Sequence, residues 1–417
     1  MDNEVVQIKK YIVGFTFICI IAVIGFFSVT KGLPIGYGAD VGQIMHVITA
    51  DMKHERTISW KTARFGDPGT LEIRPKQSKN SIKVNAEVVE LPVYHGGKHF
   101  GMYTAHVTNL TAGTVYEYRI SVGRRQSQWR EFSTEREAAS SFKALIFGDS
   151  QSSDYKAWAK TAQTAWENNK DAAFFVTMGD LVDNGQDEWQ WNAWFDGGAK
   201  LFATIPVASV MGNHEAYSLE WKMAKPDYYL SLFALPANGP AGLEGFAYSY
   251  EYGDVHFSVL NTQLEELQEW YPAILQKQQR WLAKDLSQSR KKWKVVLMHR
   301  GIWRDPFDGS LDAVGQTFVP VFDAYHVDLV CTGHVHSYSR SKALKNGRPD
   351  PSGTIYIATG RSGDKVWDES PKKSMEEYYY NPLDMPNYLV LEASQDALHV
   401  TAVKQNGERI DQIEIKK

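Results

Sequence analysis

Val327-Asp-Leu-Val-Cys-Thr-Gly-His-Val-His336 runs from a short apolar strand straight into two histidines separated by one residue. In extended backbone such residues share a face, so His334 and His336 can serve two adjacent cations. The same grammar recurs four times upstream. Lys143-Ala-Leu-Ile-Phe147 leads into Gly148-Asp149-Ser150-Gln151, and Ala172-Ala-Phe-Phe-Val-Thr177 leads toward Gly179-Asp180-Leu181-Val182-Asp183. Ile205-Pro-Val-Ala-Ser-Val210 precedes Gly212-Asn213-His214-Glu215, and Lys294-Val-Val-Leu297 precedes His299. An isolated Gly-Asp or Gly-Asn-His after a strand is a turn far more often than a ligand set. Five in this order describe one site built on the ends of several strands.

Two cations side by side need several ligands each and usually one shared carboxylate. Asp180 is the expected bridge. Asp149 and His336 complete one shell, and Asn213, His299 and His334 the other. Imidazole, carboxylate and amide oxygen together suit Fe, Mn, Zn or Co better than Ca or Mg. The glycines before Asp149, Asp180, Asn213 and His334 are expected to let the chain turn sharply after each strand. His256, between apolar residues of a strand, reads as structural.

The chain has 417 residues and a formal net charge of -4. That length suits two modest domains, and the near-neutral balance offers no basic surface for nucleic acid. Thirteen Trp and 21 Tyr fit a β-rich protein. The two cysteines, Cys19 in an apolar run and Cys331 in a strand expected to be buried, make no disulfide framework. Tyr11 to Thr30 carries no charge and is flanked by Lys9, Lys10 and Lys31. A helix rises about 1.5 Å per residue against a bilayer core of roughly 30 Å, so this run is long enough to span. It exceeds the apolar region of a secretory signal, about 7–15 residues. A signal anchor and linker are therefore expected over 1–40. The membrane is then a partner, and the bulk of the chain lies outside the cytoplasm, periplasmic or at the cell surface. The same chain is secreted if the segment is cleaved.

Residues 41–136 show short alternating strands with turn signals and no helical period, as expected of an antiparallel sandwich. Thr57–Trp60, Gly101–Val107 and Val115–Ile120 are three of its strands. Over 141–405 strands alternate with helices, the latter expected at 154–169, 189–201 and 276–286. This describes a layered α/β domain with its site at the carboxyl edge. Residues 406–417 read as a C-terminal tail.

Leu110-Thr-Ala-Gly-Thr-Val-Tyr116-Glu-Tyr118 resembles the strand E–F corner of fibronectin type III domains, with Trp60 as the core tryptophan. The five ligand segments in order resemble the calcineurin-like metallophosphoesterase superfamily. A fibronectin-like domain directly before them resembles the purple acid phosphatase branch. So do Gly333-His-Val-His-Ser-Tyr-Ser-Arg340, Tyr248-Ser-Tyr-Glu-Tyr-Gly-Asp-Val-His-Phe257 and Gly353-Thr-Ile-Tyr-Ile-Ala-Thr-Gly360. The resemblance covers about residues 41 to 405. It implies a four-layer αββα catalytic domain and two divalent or trivalent ions (Fe, Mn or Zn). It also implies hydrolysis of a small phosphorylated substrate, a phosphate monoester, by metal-activated hydroxide. His214 is the implied proton donor or transition-state stabiliser. Glu215 is expected to orient it by accepting a ring N–H.

Two departures stand out. Purple acid phosphatases carry a tyrosine three residues after the bridging aspartate, and its phenolate on ferric iron gives the colour. Here that residue is Asp183, so the protein is expected not to be purple. Asp183 is either a ligand or an acceptor that orients a histidine. Gln151 stands where many superfamily members have a metal-binding His, and its amide oxygen is a candidate ligand. Arg300, Trp303 and Arg304 are candidates for the substrate mouth. Tyr338 and Arg340 are candidates to support the site behind the last histidine. A phosphodiesterase or nucleotide hydrolase on the same ions is the nearest alternative. A surface adhesion or binding protein with a relic metal site is the alternative of another class.

Overall fold

The computed structural model describes residues 42–417, apart from 64, 95–97, 139–140, 304–309 and 369–370. Ten strands form one sheet. Its order is Arg409–Lys416, Ala397–Lys404, Asn387–Ser394, Ser141–Phe147, Phe174–Thr177, Val207–Ser209, Gly42–Val47, Arg56–Thr62, Gly101–Val107 and Glu87–Glu90. Ser141–Phe147, Phe174–Thr177 and Val207–Ser209 are parallel, in registers Ala144↔Phe174 and Phe175↔Val207. Phe174–Thr177 and Val207–Ser209 are buried at every position. Strands covered on both faces read as continuous apolar runs, which is why these segments are legible.

A seven-stranded sheet packs against the first. It runs Tyr248–Tyr252, Val255–Leu260, Trp293–Met298, Leu329–Thr332, Ile355–Thr359, Tyr338–Ser341 and Glu376–Tyr380. Ile146, Phe174, Val176, Leu389, Phe257, Val295, Leu297 and Ile357 from the two sheets share one core. Helices cover the outer faces in a second core, so the layers are αββα. Helix Lys156–Asn168 buries Trp158, Thr161, Ala162, Ala165 and Trp166, a stripe at helical spacing. Helix Glu188–Gly197 contributes Trp191, Trp194 and Phe195. The Trp158 and Trp194 rings stack at 5.9 Å, and Trp158 meets Phe147 edge-on at 5.3 Å. Truncating such a ring to alanine costs about 3–5 kcal/mol.

The N-terminal sandwich closes over a second small sheet, Ile82–Asn85, Gly69–Pro75, Val115–Val122 and Arg125–Gln126, with Arg130–Ser133 also paired along Val115–Val122. Tyr116, Tyr118, Ile120 and Val122 alternate inward along one strand. Trp60 is fully buried and stacks on Tyr103 at 5.7 Å. The Thr111 N–H donates to the Tyr116 hydroxyl at 2.8 Å, forming a tyrosine corner next to buried Leu110.

The sandwich is joined to the catalytic sheet by backbone. Val47 pairs in parallel with Val207, and the Ile48 N–H donates to the Val207 carbonyl at 2.9 Å. Lys61 reaches across to Asn192 Oδ1 at 2.7 Å and Tyr228 Oη at 3.2 Å. The tail expected at 406–417 is corrected: Arg409–Lys416 is the edge strand of the large sheet, paired along Ala397–Lys404. Among the described residues no helix is long and apolar enough to cross a membrane. The expected membrane helix lies outside the described residues.

Candidate metal centre

Each of the five segments leaves the carboxyl end of a strand. Asp149 follows Ser141–Phe147, Asp180 follows Phe174–Thr177, and Asn213 follows Val207–Ser209. His299 and His334 follow Trp293–Met298 and Leu329–Thr332 in the second sheet. The site therefore sits where one edge of both sheets meets. Four of the six expected ligands have left-handed backbone: Asp149 (φ 34), Asp180 (φ 51), His334 (φ 72) and His336 (φ 54). Such conformations are unfavourable for non-glycine residues and persist where the surroundings over-determine them. The expected role of the glycines is corrected accordingly. Of those four glycines only Gly179 has positive φ. Gly212 instead allows close approach, because a Cβ there would collide with the Asp180 carboxylate.

Neighbouring loops are laced together. The Asp180 Oδ1 accepts the His214 backbone N–H at 2.9 Å, and Asp149 accepts that of His334 at 2.9 and 3.0 Å. The Gln151 N–H donates to the Asp180 carbonyl at 3.0 Å. Indole N–H groups fix the loops from below, Trp194 to Ser150 Oγ at 2.9 Å and Trp191 to the Gly185 carbonyl at 2.9 Å.

Two donor groups result, and they share Asp180. Ligand atoms of Asp180, His299 and His334 lie within 4.8 Å of one another, as do those of Asp149, Asp180 and His336. Asn213 Oδ1 is 3.2 Å from His299 Nε2, beside the first group. Ring orientation comes from backbone carbonyls. His299 Nδ1 donates to Met178 at 2.7 Å, and His336 Nδ1 to Lys365 at 3.1 Å, leaving each Nε2 toward the site.

The donor set fits two cations. Asp149 and Asp180 are both buried and close together, an arrangement that opposite charge relieves. Burial raises the Asp149 carboxyl well above its usual range. Burial opposes ionisation of Asp180 too, but His299, His214 and His334 outweigh it and hold that carboxyl below its usual value. Burial disfavours a charged His299, yet Asp180 and Asp149 raise it to about 9. His334 is lowered to about 2 by burial, His299 and Arg300, and His336 to about 4 chiefly by burial. Both rings are thus neutral near pH 7, the form that ligates. His334 Nδ1 and Gln151 Oε1 are buried atoms with no hydrogen-bond partner, and both are metal-donor types.

His214 lies at the edge of the pair, its Nε2 3.9 Å from Asp180 Oδ2. Its Nδ1 donates to the Asp183 carbonyl at 2.7 Å. Glu215 does not orient it, contrary to expectation. The Glu215 carboxylate instead accepts the backbone N–H groups of Asp180 (3.0 Å), Leu181 (2.7 Å) and Gly212 (2.7 Å). Burial and Asp180 raise Glu215 to about 7. Asp183 is held in an ion pair with Lys365. Arg300 is tied to Glu266 at 2.6 Å and Gln263 at 3.0 Å, and its Nη1 lies 3.4 Å from His334 Nε2. Trp303 packs on Tyr356 at 6.3 Å. Arg304 lies outside the described residues. Tyr338 and Arg340 turn away from the ligands: the Tyr338 hydroxyl (2.8 Å) and Arg340 Nε (2.7 Å) both donate to Asp411 on the edge strand. Lys365 escaped the sequence reading because no strand-end pattern marks it.

Five loops at adjoining strand ends, with imidazoles and carboxylates in two groups around one shared aspartate, define a metal-dependent phosphoesterase. Residues 142–338 match the calcineurin-like phosphoesterase family, and residues 42–134 match the N-terminal domain of purple acid phosphatases. The chain is 25% identical over 352 residues to purple acid phosphatase 18 of Arabidopsis thaliana, covering 81% of this chain and 76% of that one. It is 27% identical over 361 residues to a purple acid phosphatase of Glycine max, covering 79% and 74%. The solved purple acid phosphatase PPD1 of yellow lupin superposes with a TM-score of 0.77 at 18% identity, over 90% of this chain and 74% of that one. In sequence and fold the protein is thus similar to the purple acid phosphatases, a family whose centre is dinuclear, and its donor groups fit such a centre.

Proposed function

We infer that the enzyme hydrolyses phosphate monoesters at a centre held by Asp149, Asp180, Asn213, His299, His334 and His336. The observation that carries this reading is the pair of donor groups sharing Asp180. When bound, two ions supply Lewis acidity toward phosphoryl oxygens and lower the pKa of water. Gln151, through its unpartnered amide oxygen, is the further donor where the purple enzymes have none. The Asp183 carboxylate is engaged by Lys365 and is not counted among the ligands.

His214 moves the proton. Its Nδ1 is committed to the Asp183 carbonyl, so Nε2 is the nitrogen free to deliver a proton to the leaving oxygen. Glu215 positions the Asp180 and Gly212 loops by taking three N–H groups. Arg300, beside His334, is placed to meet phosphoryl charge. Action outside the cytoplasm is supported by the uncharged run from Tyr11 to Thr30.

The test is hydrolysis of matched aryl phosphate monoester and diester by the full chain loaded with Mn, Zn or Fe. Metal-dependent turnover favouring the monoester supports the reading. Preference for the diester, or no turnover of either with metals bound, overturns it.

A further inference from the structure

Two tryptophans stand at the site with their rings in solvent. Trp221 is 56% exposed and Trp367 43% exposed, unlike the buried indoles of the core. Trp221 meets the His214 ring edge-on, centroids 6.0 Å apart at 89°. Trp367 stacks on His336 at 5.0 Å and 26°, and stands edge-on to His334 at 5.5 Å. Each exposed ring is therefore one contact from a residue of the centre.

Packing does not account for Trp221. Its backbone is left-handed (φ 59), a conformation costly for a bulky residue and easy for Gly or Asn. The turn that carries it is closed by the Trp221 N–H on the Ser218 carbonyl and the Ser218 N–H on the Lys222 carbonyl, both at 2.8 Å. The Asn184 amide pins the same Ser218 carbonyl to the loop that holds Asp183. Trp367 is held from behind, its carbonyl accepting the Asn381 amide at 2.7 Å. Lys365, paired with Asp183, lies at the same mouth, its Nζ 5.9 Å from the Trp221 ring centroid. Fixed flat faces in solvent suit a ligand with a planar ring.

We propose that Trp221 and Trp367 receive a planar ring on the leaving group, so that the enzyme prefers phosphate monoesters of ring-bearing alcohols such as nucleosides to those of ringless alcohols such as glycerol. This rests on the phosphomonoesterase reading above. Hydrogen bonds that would tell one base from another are not part of it, because stacking accepts any flat face.

The experiment compares kcat/KM for a nucleoside 5′-monophosphate, 2-phenylethyl phosphate and glycerol 3-phosphate on the metal-loaded full chain. All three lose a primary alkoxide, so intrinsic leaving-group reactivity is nearly matched. A ring-to-glycerol ratio of about ten or more is expected, from the usual strength of ring stacking. The Trp221→Leu and Trp367→Leu variants should each lower that ratio severalfold, with Trp→Phe restoring much of it. The ratio is internal to each variant, so a misfolded fraction cancels. Preference for both ring substrates supports the proposal, whereas preference for the nucleotide alone overturns it, because stacking accepts either ring. A wild-type ratio near one, or a ratio that neither leucine variant changes, overturns it. Absence of all turnover with metals bound is a different result, which sinks the phosphomonoesterase reading itself.

Discussion

The carbonyl oxygen of Asp183 accepts the ring Nδ1–H of His214 at 2.7 Å, while the Asp183 side chain is paired with Lys365. One residue thus fixes the histidine tautomer with its backbone and holds a cation with its carboxylate. Orientation of His214 needs only a carbonyl, which every residue has.

The first prediction concerns proton delivery. His214→Ala is expected to lower kcat on alkyl phosphates by about 10²- to 10⁴-fold, with metal content unchanged. The loss should shrink on aryl phosphates with acidic leaving groups, which depart without a proton. Equal losses on both substrate types would remove His214 from that role.

The second prediction concerns colour. Asp183 replaces the tyrosine whose phenolate colours the purple enzymes, and Lys365 engages its carboxylate. Enzyme loaded with ferric iron should lack a visible phenolate charge-transfer band. Asp183→Tyr is the variant in which such a band should appear if the ring reaches the metal.

The third prediction separates the shared carboxylate from the unshared ones. Asp180 belongs to both donor groups, whereas Asp149 and His336 belong to one. Asp180→Ala should bring bound metal below one ion per chain, while Asp149→Ala and His336→Ala should each retain about one. Equal metal loss in all three would argue against a bridge.

Glu215 makes a stability prediction. Three buried backbone N–H groups end on its carboxylate, and each unsatisfied donor costs about 1–3 kcal/mol. Glu215→Ala should lower the urea midpoint by an amount equivalent to roughly 3 kcal/mol or more. Activity restored by excess metal, with stability still low, would mark Glu215 as a positioning residue.

Why some features were legible and others not follows from where their information resides. The strands before Asp149, Asp180 and His334 announce themselves because burial on both faces demands unbroken apolar runs. The Glu215 bonds were not legible, since their partners are backbone groups that carry no residue identity. Helix Ala313–Ala324 escaped for another reason. Pro320 lies inside it, and proline removes a helical N–H and normally marks an end. Its start is fixed by Asp312, whose side chain accepts the Gly315 N–H at 2.7 Å. The edge strand Arg409–Lys416 was missed because its faces are mostly exposed or half-buried, leaving only weak apolar alternation. Tyr338 and Arg340 were assigned to the site by proximity to His336 in sequence. Strand alternation sends Tyr338 between the sheets, and both residues end on Asp411.

The last prediction is a pH dependence away from the metals. His256 Nε2 lies 2.8 Å from Asp285 Oδ2, and Nδ1 3.4 Å from Glu251 Oε1. Asp285 also accepts from Ser249 (2.7 Å) and Ser258 (2.8 Å), and Lys291 sits 3.5 Å from Glu251. Burial lowers the affinity of His256 for a proton, but Asp285 and Glu251 outweigh it and raise the ring to about 9. The folded state thus binds the proton more tightly than the unfolded chain, whose imidazole titrates near 6.5. The stabilisation is fully present below about pH 6.5 and is lost as pH rises through about 9, a term on the order of 3 kcal/mol. Urea unfolding from pH 6 to 9.5 should show that decline in wild type and a flatter profile in His256→Gln. Parallel profiles for the two proteins would mean that His256 carries no extra proton in the folded state, and that the Asp285 carboxylate is satisfied by the serine hydroxyls alone.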